Sequence, residues 1–500
     1  MSATQAKSVQ DYLDELPAWA DGTHLRAAPM TRMQWLIWSL AAAGKFFEGF
    51  VVFMGGVALP LVAREFQIAP AQKGIFSAAS LAGILFGAVL LGGLSDYFGR
   101  KRMFVAEMIL FVGFLTGLIV SSSFIAMAIC LFGLGLALGC DYPTAHMVIS
   151  ENIPSANRGR LVLGAFGFQA LGALGGTGVG ALVLIVNPTL SAWRWMYATA
   201  LLPAVAITIA RFFVVESANW LVVRGDHAQA EKSVIRLLRR QPQYPNNIQL
   251  ARTATSGHGA GHASFWALFN RRNRRATLFA SLPWFIQDLG TYGIGIFTPV
   301  ILAAALGGGP DHVRSLSDVI ASDILASKGA ALIDILLLVG IAFAVMLADR
   351  VGRIKLQIFG FIGCAAGLLL ASFSADVAGP GKIVLIFAGF MLFDFMTNLG
   401  PNAQTYLLAG EVFPTEVRGM GAGFAASFAK IGAVATAYLF PILLVDIGTR
   451  ALLYGLIVAS ILGAWVTWQF RIETTGVNLD NIGREPAAPQ GAVGGAAGSI

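Results

Sequence analysis

The chain has 500 residues, of which 56% are hydrophobic and only 12% are charged, and its mean hydropathy is +0.71. Because about a quarter of the residues in a soluble domain are charged, this composition excludes an ordinary soluble fold and indicates a membrane-embedded chain. The net charge of +7 comes mainly from Lys and Arg in segments predicted to face the cytoplasm, as the positive-inside rule expects, so it does not require a nucleic-acid partner.

Apolar runs of about 20 residues or more, long enough to cross a bilayer as helices, recur along the chain. Their Leu, Ala, Gly and Phe content is typical of helices rather than of barrel strands. We predict an all-α polytopic membrane protein. Its twelve transmembrane helices are expected at about residues 34–61, 73–94, 103–121, 124–150, 161–186, 193–215, 276–306, 328–347, 356–374, 381–410, 420–445 and 450–471.

The segments around these spans divide the chain into five predicted regions. They are a cytoplasmic N-terminal segment (1–33), a six-helix half (34–215), a cytoplasmic linker (216–275), a second six-helix half (276–471) and a cytoplasmic tail (472–500). Within the linker, the basic stretch Ala228–Arg240 predicts a helix and "TSGHGAGHAS" (Thr255–Ser264) predicts a flexible stretch. The Ala/Gly/Pro-rich tail predicts disorder.

Two loop motifs occur once in each predicted half. "LSDYFGRKR" (Leu94–Arg102) returns as "LADRVGRIK" (Leu347–Lys355), and "ENIPSANRG" (Glu151–Gly159) returns as "EVFPTEVRG" (Glu411–Gly419), at offsets of 253 and 260 residues. The repetition indicates duplication of a six-helix unit, with the two copies in parallel topology.

The charged residues of these loops are predicted to gate the cytoplasmic side, because Asp or Glu can pair with Arg when two helix ends meet. They are Asp96, Arg100, Glu151 and Arg158 in the first half, and Asp349, Arg353, Glu411 and Arg418 in the second. A static clasp is the alternative, since surface ion pairs often contribute only about 0–1 kcal/mol.

Polar residues inside the apolar spans are costly and usually face a cavity or a partner. They are Lys45 and Glu48 in the first span, Asp141 and Tyr142 in the fourth, Gln169 in the fifth, Trp284, Asp288 and Tyr292 in the seventh, Asp394, Asn398 and Asn402 in the tenth, and Lys430 in the eleventh. The spacing of four puts the residues of the seventh span on one helix face, and likewise those of the tenth. Together they predict one central cavity. Asp141 is expected to face it, and Pro143 to weaken the fourth helix locally so that backbone there faces it too.

Several of these residues also have a purely structural interpretation. Lys45 and Glu48 can neutralise each other as a buried pair, and the aromatic residues of the seventh span can simply pack. Asn398 and Asn402 can join helices by hydrogen bonds, and the glycines that follow Gln169 indicate close helix packing in the fifth span. Asp141, Asp288 and Lys430 favour a functional role, because proton relays and ion pathways are the usual reason for such groups.

The repeated loops and the two six-helix halves resemble the major facilitator superfamily over about residues 34–471. "ENIPSANRGR", "VESANWLVVRG" (Val215–Gly225) and "GEVFPTEVRG" resemble its sugar-porter-type division, although both prolines usual in the middle motif are missing. The resemblance implies a secondary transporter that works by alternating access. No Walker A motif, His/Cys cluster or nucleophile–base pair stands out, so we expect no cofactor, no metal site and no enzymatic activity.

Four further motifs, "GCDYPTA", "WFIQDLGTYG", "NLGPNAQT" and "SFAKIGA", resemble the phosphate:proton symporter branch. This resemblance implies an anion site formed by Tyr142, Gln169, Trp284, Asp288, Tyr292, Asn402 and Lys430, to which we add Asn398 on the face of Asn402. It also matches Glu48 and Asp141 to the branch's acidic residues, so that Glu48, Asp141 and Asp288 are the predicted proton-coupling residues. The chain departs from the branch at Val51 and Ala170, where the branch has carboxylates, and at Lys45, which is an addition.

We therefore predict a proton-coupled symporter of a small anion, either phosphate or a small organic acid. Protonation of Asp288 or Asp141 is expected to let the anion sit beside Lys430. The predicted partners are the anion, protons and the lipid bilayer, and we expect a monomer in a plasma or inner membrane, with both termini cytoplasmic and a composition that favours a bacterial source. A sugar or aromatic-acid porter, a proton-driven exporter and a transporter-like receptor remain as alternatives.

Overall fold

The computed structural model describes residues 7–16, 29–91, 94–239, 248–250, 264–306, 316–377, 379–414 and 417–474. Within these residues the chain is helical, and the β pairing is an isolated parallel bridge between Lys7 and Leu250. The all-α prediction is confirmed. The α-helices are α1 (Val9–Asp14), α2 (Arg32–Glu65), α3 (Pro70–Phe86), α4 (Leu94–Phe98), α5 (Arg100–Val120), α6 (Phe124–Asn152), α7 (Ser155–Val186), α8 (Ala192–Ala198), α9 (Leu201–Arg211), α10 (Ala218–Val223), α11 (His227–Leu237), α12 (Arg274–Leu306), α13 (Leu316–Val351), α14 (Arg353–Ser372), α15 (Pro380–Leu399), α16 (Pro401–Glu411), α17 (Arg418–Asp446) and α18 (Gly448–Phe470).

Eleven helical segments of the described chain are long and apolar enough to cross a membrane. Ten of them contain one α-helix each. The eleventh joins α15 and α16 across Gly400, and Pro401 starts the second of these helices. The predicted sixth span, 193–215, forms α8 and α9 with a short turn between them. Each of these two helices is too short to cross a bilayer alone, because a crossing needs about 20 residues.

The structure differs further from the sequence prediction in α13 and α6. Helix α13 begins at Leu316, twelve residues before the predicted start of the eighth span at 328. The polar residues of its first turns interrupt the apolar pattern, yet Asp323 and Ser327 are buried against other helices. The second difference is that α6 runs unbroken from Phe124 to Asn152, so Pro143 does not interrupt the helix.

The duplicated loops adopt the same backbone geometry in the two halves. Gly99 precedes α5 with φ of 104°, and Gly352 precedes α14 with φ of 98°. Only glycine adopts this left-handed conformation without strain. The repeated Gly-Arg pair is therefore a structural repeat: each glycine turns the chain sharply and the arginine begins the next span.

We refer to α2–α9 as the first half and to α12–α18 as the second half. The halves meet along three helix pairs: α2 with α12, α3 with α17, and α7 with α13. Several of these contacts place one backbone directly against another, as at Gly56 beside the Ile296 carbonyl and Gly74 beside the Tyr438 carbonyl. The two halves are therefore packed directly against each other along these three helix pairs.

The predicted linker contains ordered helices in its first part. The predicted basic helix at 228–240 corresponds to α11, and α10 precedes it. Helix α1 of the N-terminal segment packs at the same end of the molecule, where the Tyr12 hydroxyl donates to the Gln249 carbonyl at 3.3 Å. The stretch predicted to be flexible lies outside the described residues except for Ser264, and so does the predicted disordered tail from 475 onward.

Candidate functional site

A cluster of charged side chains lies where the two halves meet, near the middle of helices α2, α12 and α17. We call it the four-charge cluster; it consists of Lys45 and Glu48 of α2, Asp288 of α12 and Lys430 of α17. The exposed fraction of each of these residues is 5% or less. The sequence analysis named all four, and the structure brings them together.

Lys430 is the centre of this cluster. Its Nζ lies 3.2 Å from Asp288 Oδ2 and 3.7 Å from Glu48 Oε1. It donates a hydrogen bond to the Tyr292 hydroxyl at 2.7 Å. One ammonium of the second half is thus held by carboxylates from both halves.

Glu48 extends the network across the first half. Its Oε2 accepts a hydrogen bond from Lys45 Nζ at 2.8 Å, and its Oε1 accepts one from Gln169 Nε2 at 3.2 Å. The Tyr292 hydroxyl also donates to Glu48 Oε1, at 3.3 Å, and accepts from Gln169 Nε2 at 3.1 Å. Two ammonium and two carboxylate groups therefore face one another, so the formal charges of the cluster cancel when all four are ionised.

Close packing of α2 on α7 positions Glu48 beside Gln169. A Cβ on Gly49 would stand 2.0 Å from the Gln169 carbonyl oxygen, and one on Gly172 would stand 2.0 Å from the Phe46 carbonyl oxygen. Real Cβ atoms do not approach backbone that closely. The small residues therefore let the two helix backbones touch, which brings polar side chains of both helices to one point.

An aromatic layer lies beside the four-charge cluster on the predicted cytoplasmic side. Tyr406 of α16 stacks on Phe166 of α7, with ring centroids 4.5 Å apart, and meets His146 of α6 edge-on at 6.2 Å. Trp284, a predicted site residue, packs edge-on against the same tyrosine at 6.2 Å. Side chains of both halves therefore meet on this side of the cluster.

The polar residues of the predicted tenth span contact α13. Asn402 Nδ2 donates to Asn398 Oδ1 at 2.6 Å, and Asn398 Nδ2 donates to the Leu337 carbonyl at 2.9 Å. Asp394, one turn earlier, interacts electrostatically with Asp334 of α13. The contacts of Asn398 and Asn402 fit their interpretation as links between helices.

Asp141 belongs to a second buried network, which adjoins α2 just before Lys45. Its Oδ1 accepts a hydrogen bond from Arg211 at 2.7 Å, and Arg211 also bonds to Glu107 at 2.8 Å. Oδ2 of Asp141 lies directly over Gly44, where a Cβ would stand 1.8 Å from it. The expectation that Asp141 faces the central cavity is therefore corrected, because its carboxylate turns to Arg211 and the backbone of α2.

The acid Glu107 was missed by the sequence analysis, which placed it in an ordinary third span. It is 1% exposed, and its Oε2 has no hydrogen-bond partner among the described residues. Arg211 was assigned to a helix and given no role, although it is fully buried. Glu107 and Arg211 carry opposite charges inside two separate apolar spans. That combination is the sequence signal that could have predicted their pairing.

Four of the predicted gating residues form ion pairs, one pair within each half. Arg100 bonds to Glu151 at 3.2 Å in the first half, and Arg353 bonds to Glu411 at 2.9 Å in the second. The pairing thus repeats with the duplication. The side chains of the predicted gating residues Asp96 and Asp349, and that of the predicted site residue Tyr142, lie outside the described part of the structure.

The other two arginines predicted to gate, Arg158 and Arg418, make different contacts from those expected. Arg158 donates to Gln10 Oε1 of α1 at 2.9 Å, and Arg418 donates to the Phe413 carbonyl at 3.2 Å. Arg158 is therefore tied to the N-terminal segment, and Arg418 to the backbone just before its own helix.

Comparison with known proteins gives the family of this chain. Residues 37–485 match the family described as "Sugar (and other) transporter". The chain belongs to this transporter family of the major facilitator superfamily, and it is not an enzyme.

Relatives of several kinds cover nearly the whole chain. The inner membrane metabolite transport protein YgcS of Escherichia coli is 28% identical over 94% of this chain and 96% of its own. The putative metabolite transport protein YaaU of the same organism is 27% identical, over 89% and 93%. The probable inorganic phosphate transporter 1-12 of Oryza sativa is 25% identical, over 95% and 97%.

Solved structures show the same fold. The proton:xylose symporter XylE bound to 6-bromo-6-deoxy-D-glucose superposes with a TM-score of 0.70 at 20% identity, covering 90% of this chain and 98% of that one. A partially occluded inward open form of XylE from Escherichia coli gives a TM-score of 0.72 at 18% identity, covering 90% and 100%. The twelve-helix architecture is thereby confirmed, with α8 and α9 in the place of the sixth crossing.

Proposed function

We propose that the chain is a proton-coupled symporter that carries a small oxyanion, phosphate or a small organic acid, by alternating access. The observation that carries this proposal is the position of Lys430 Nζ, 3.2 Å from Asp288 and 3.7 Å from Glu48. The positive charge of an ammonium deep in a membrane protein needs a nearby negative charge. Here the carboxylates of Glu48, in the first half, and Asp288, in the second, supply it.

Charge balance couples a proton to an anion at this site. With four ionised groups the cluster is neutral, so an anion that enters alone adds an uncompensated charge in a medium of low dielectric constant, which is costly. A proton on Asp288 removes one negative charge and frees Lys430 to bind the anion. When the proton and the anion are both bound, the cluster is neutral again. Each of the two therefore favours the binding of the other.

The same contacts link binding to movement of the halves. Glu48 and Gln169 of the first half bond directly to Tyr292 of the second, at 3.3 and 3.1 Å. An oxyanion that takes the donors Lys430 and Tyr292 replaces these links with links through the substrate. Occupancy of the site thus changes the contacts that hold the halves together, which is how a transported ligand shifts a two-state equilibrium.

The Asp141–Arg211–Glu107 network is the candidate for a second proton site. Two carboxylates share one guanidinium there, and two buried acids beside a single cation favour one bound proton. Asp141 also lies on Gly44, next to Lys45. This position beside α2 supports the proposed part of Asp141 in coupling, alongside Glu48 and Asp288.

A carrier of a neutral metabolite is the second candidate. The cancelling charges of the four-charge cluster favour it, because a neutral site suits an uncharged ligand that forms many hydrogen bonds, and the family includes sugar transporters by its description.

We also propose, for either kind of ligand, that the protein is a monomer in a plasma membrane and that both of its termini lie in the cytoplasm.

Uptake into proteoliposomes tests the proposal. The purified chain is supplied with labelled phosphate, small organic acids and sugars, with and without an imposed inward proton gradient. We expect one class of anion to accumulate against its gradient, and a protonophore to abolish that accumulation.

The result separates the candidates. Unchanged anion accumulation after the protonophore contradicts proton coupling, and gradient-driven accumulation of a sugar with no anion transported favours the neutral-metabolite carrier. Liposomes without protein provide the control for leakage of weak acids.

A further inference from the structure

A basic cavity opens at the edge of the first half, away from the path between the halves. It has a volume of about 700 Å³ and lies between the start of α5, the residues that follow α9, and α11. We call it the basic cavity; its charged and aromatic lining includes Lys101, Arg102, Phe212, Trp220, Lys232 and Arg236. The transport mechanism makes no use of it.

Positive charge predominates in the basic cavity. Four cations face one carboxylate, Glu216, in its lining. Oε1 of that carboxylate accepts hydrogen bonds from the backbone N–H groups of Lys101 and Ser217, each at 3.0 Å, so it already serves to hold the chain in place. Lys101 of α5 and Arg236 of α11 both line the cavity, so like charges from two separate elements lie around the same space.

The lining changes from basic to apolar along one face of α5. Lys101 and Arg102 are followed one turn later by Val105 and Ala106, and another turn later by Ile109. Ile109 is 51% exposed, so it faces the surrounding membrane. Phe212, 53% exposed, also lines the cavity and adds to its apolar wall.

Basic residues followed by an apolar face match the charged headgroup and the acyl chains of a phospholipid. The candidate membrane span of α5 begins at Arg100, so the cations lie at the end of that span and the apolar face continues along it, in the order of a lipid headgroup and its acyl chains. Basic pockets beside membrane helices on the cytoplasmic side bind anionic headgroups. We propose that the basic cavity binds an anionic phospholipid, with its headgroup phosphate held by Lys101, Arg102, Lys232 and Arg236 and an acyl chain along Val105 and Ile109.

A bound lipid would join two parts of the chain that carry like charge. Helix α11 belongs to the segment between the halves, whereas α5 belongs to the first half, and their cations repel. A phosphate between them turns this repulsion into attraction, so the lipid would stabilise the docking of α11. A free phosphate could meet the same cations, but it would make no use of the apolar wall.

Native mass spectrometry of the full-length protein tests this inference. Phosphatidylglycerol, phosphatidylcholine and inorganic phosphate are added in separate arms to the protein in detergent. We expect a phosphatidylglycerol adduct that phosphatidylcholine does not form and that an equal concentration of inorganic phosphate does not displace.

The variants assign this adduct to the basic cavity. Lys232→Gln with Arg236→Gln should weaken phosphatidylglycerol binding about 30-fold, since each cation near an anionic lipid contributes about a factor of five. Arg271→Gln with Arg274→Gln removes two exposed cations elsewhere on the same face and should leave binding unchanged. Lys101→Gln, on α5, should weaken it about fivefold, which keeps the test decisive if the double variant of α11 does not fold.

Three results would overturn the inference. They are equal phosphatidylglycerol binding in the α11 double variant and the parent, equal binding of phosphatidylcholine, or complete displacement of the lipid by inorganic phosphate at the same concentration. The last result would reassign the basic cavity to a soluble anion.

Discussion

Each charge at the centre of this protein has a partner that can be named. Lys430 interacts with Asp288, Glu48 and the Tyr292 hydroxyl, and Lys45 interacts with Glu48. Removing one member of a buried ion pair typically costs about 3–5 kcal/mol, because the remaining charge stays buried without compensation. Single substitutions here are therefore expected to act on ligand binding and on charge balance together.

Lys430→Met is expected to weaken anion binding by roughly 100-fold or more, because it removes the cation and leaves Asp288 and Glu48 to repel the ligand. Lys430→Arg should retain part of the affinity, since a guanidinium also binds oxyanions but needs more room. Equilibrium binding of labelled anion to the purified variants measures the effect.

The matched control for Lys430→Met is Lys328→Met, which removes an exposed lysine from α13 and should leave affinity unchanged. Binding of a neutral sugar with equal affinity in Lys430→Met and the parent would contradict the anion proposal and favour the neutral-metabolite carrier.

Helices in this fold meet through small residues and through polar contacts at their ends. The α2–α7 contact places backbone against backbone at Gly49 and Gly172. At the membrane edge, Asp14 of α1 accepts hydrogen bonds from the backbone N–H and the hydroxyl of Ser155, at 2.7 and 2.6 Å, and so caps the start of α7. Each kind of contact predicts a measurable effect at the level of the element.

Gly172→Ala should destabilise the protein by about 1–3 kcal/mol, the usual effect of overpacking a filled interface, because the added methyl group meets the Phe46 carbonyl oxygen at 2.0 Å. Gly178→Ala on the same helix is the control, since nothing lies within 4 Å of that Cβ position. Thermal unfolding in detergent compares them, and equal melting temperatures would show that α2 and α7 do not need this close approach.

Docking of α1 on α7 is expected to weaken in acid. Burial raises the pKa of Asp14, but the hydrogen bonds from Ser155 and Gln10 outweigh burial and the net pKa is lowered. A lowered pKa gives stabilisation that is complete above the unfolded value, near 3.9, and that is lost as the pH falls through the folded value. Protection of α1 from hydrogen exchange should therefore decrease as the pH falls below about 4, whereas Asp14→Asn should show weak protection at every pH. Constant protection in the parent from neutral to acid pH would rule out this contact as the one that holds α1.

The sequence predicted the helices better than it predicted which side chains pair with each other. Length and apolar content located the spans, because a bilayer imposes both on every crossing helix. The early start of α13 was missed because Asp323 looks like a surface residue in sequence and is buried only through contacts from other helices. Asp141 was correctly singled out as unusual, but its partner Arg211 is 70 residues away, and no local pattern reports a pairing over that distance.

At the scale of the whole molecule, two similar halves meet at a site to which both contribute charge. The Gly-Arg turn and the Arg–Glu pair occur in each half, which supports the duplication that the loop motifs indicated. Polar links between the halves converge on Glu48, Gln169 and Tyr292. The central claim is that a proton and an anion bind there together. The four charges cancel in the empty site, so an anion that bound alone would leave an uncompensated negative charge.

Calorimetry of anion binding in buffers of different ionisation enthalpy tests this claim most directly. The dependence of the measured heat on the buffer gives the number of protons taken up with each anion, at a pH where the free anion itself does not titrate. We predict uptake of about one proton per anion by the parent, and binding with little or no proton uptake by Asp288→Asn, whose amide cannot be protonated in this range. Anion binding by the parent with no proton uptake, or equal proton uptake by the parent and Asp288→Asn, would contradict the account.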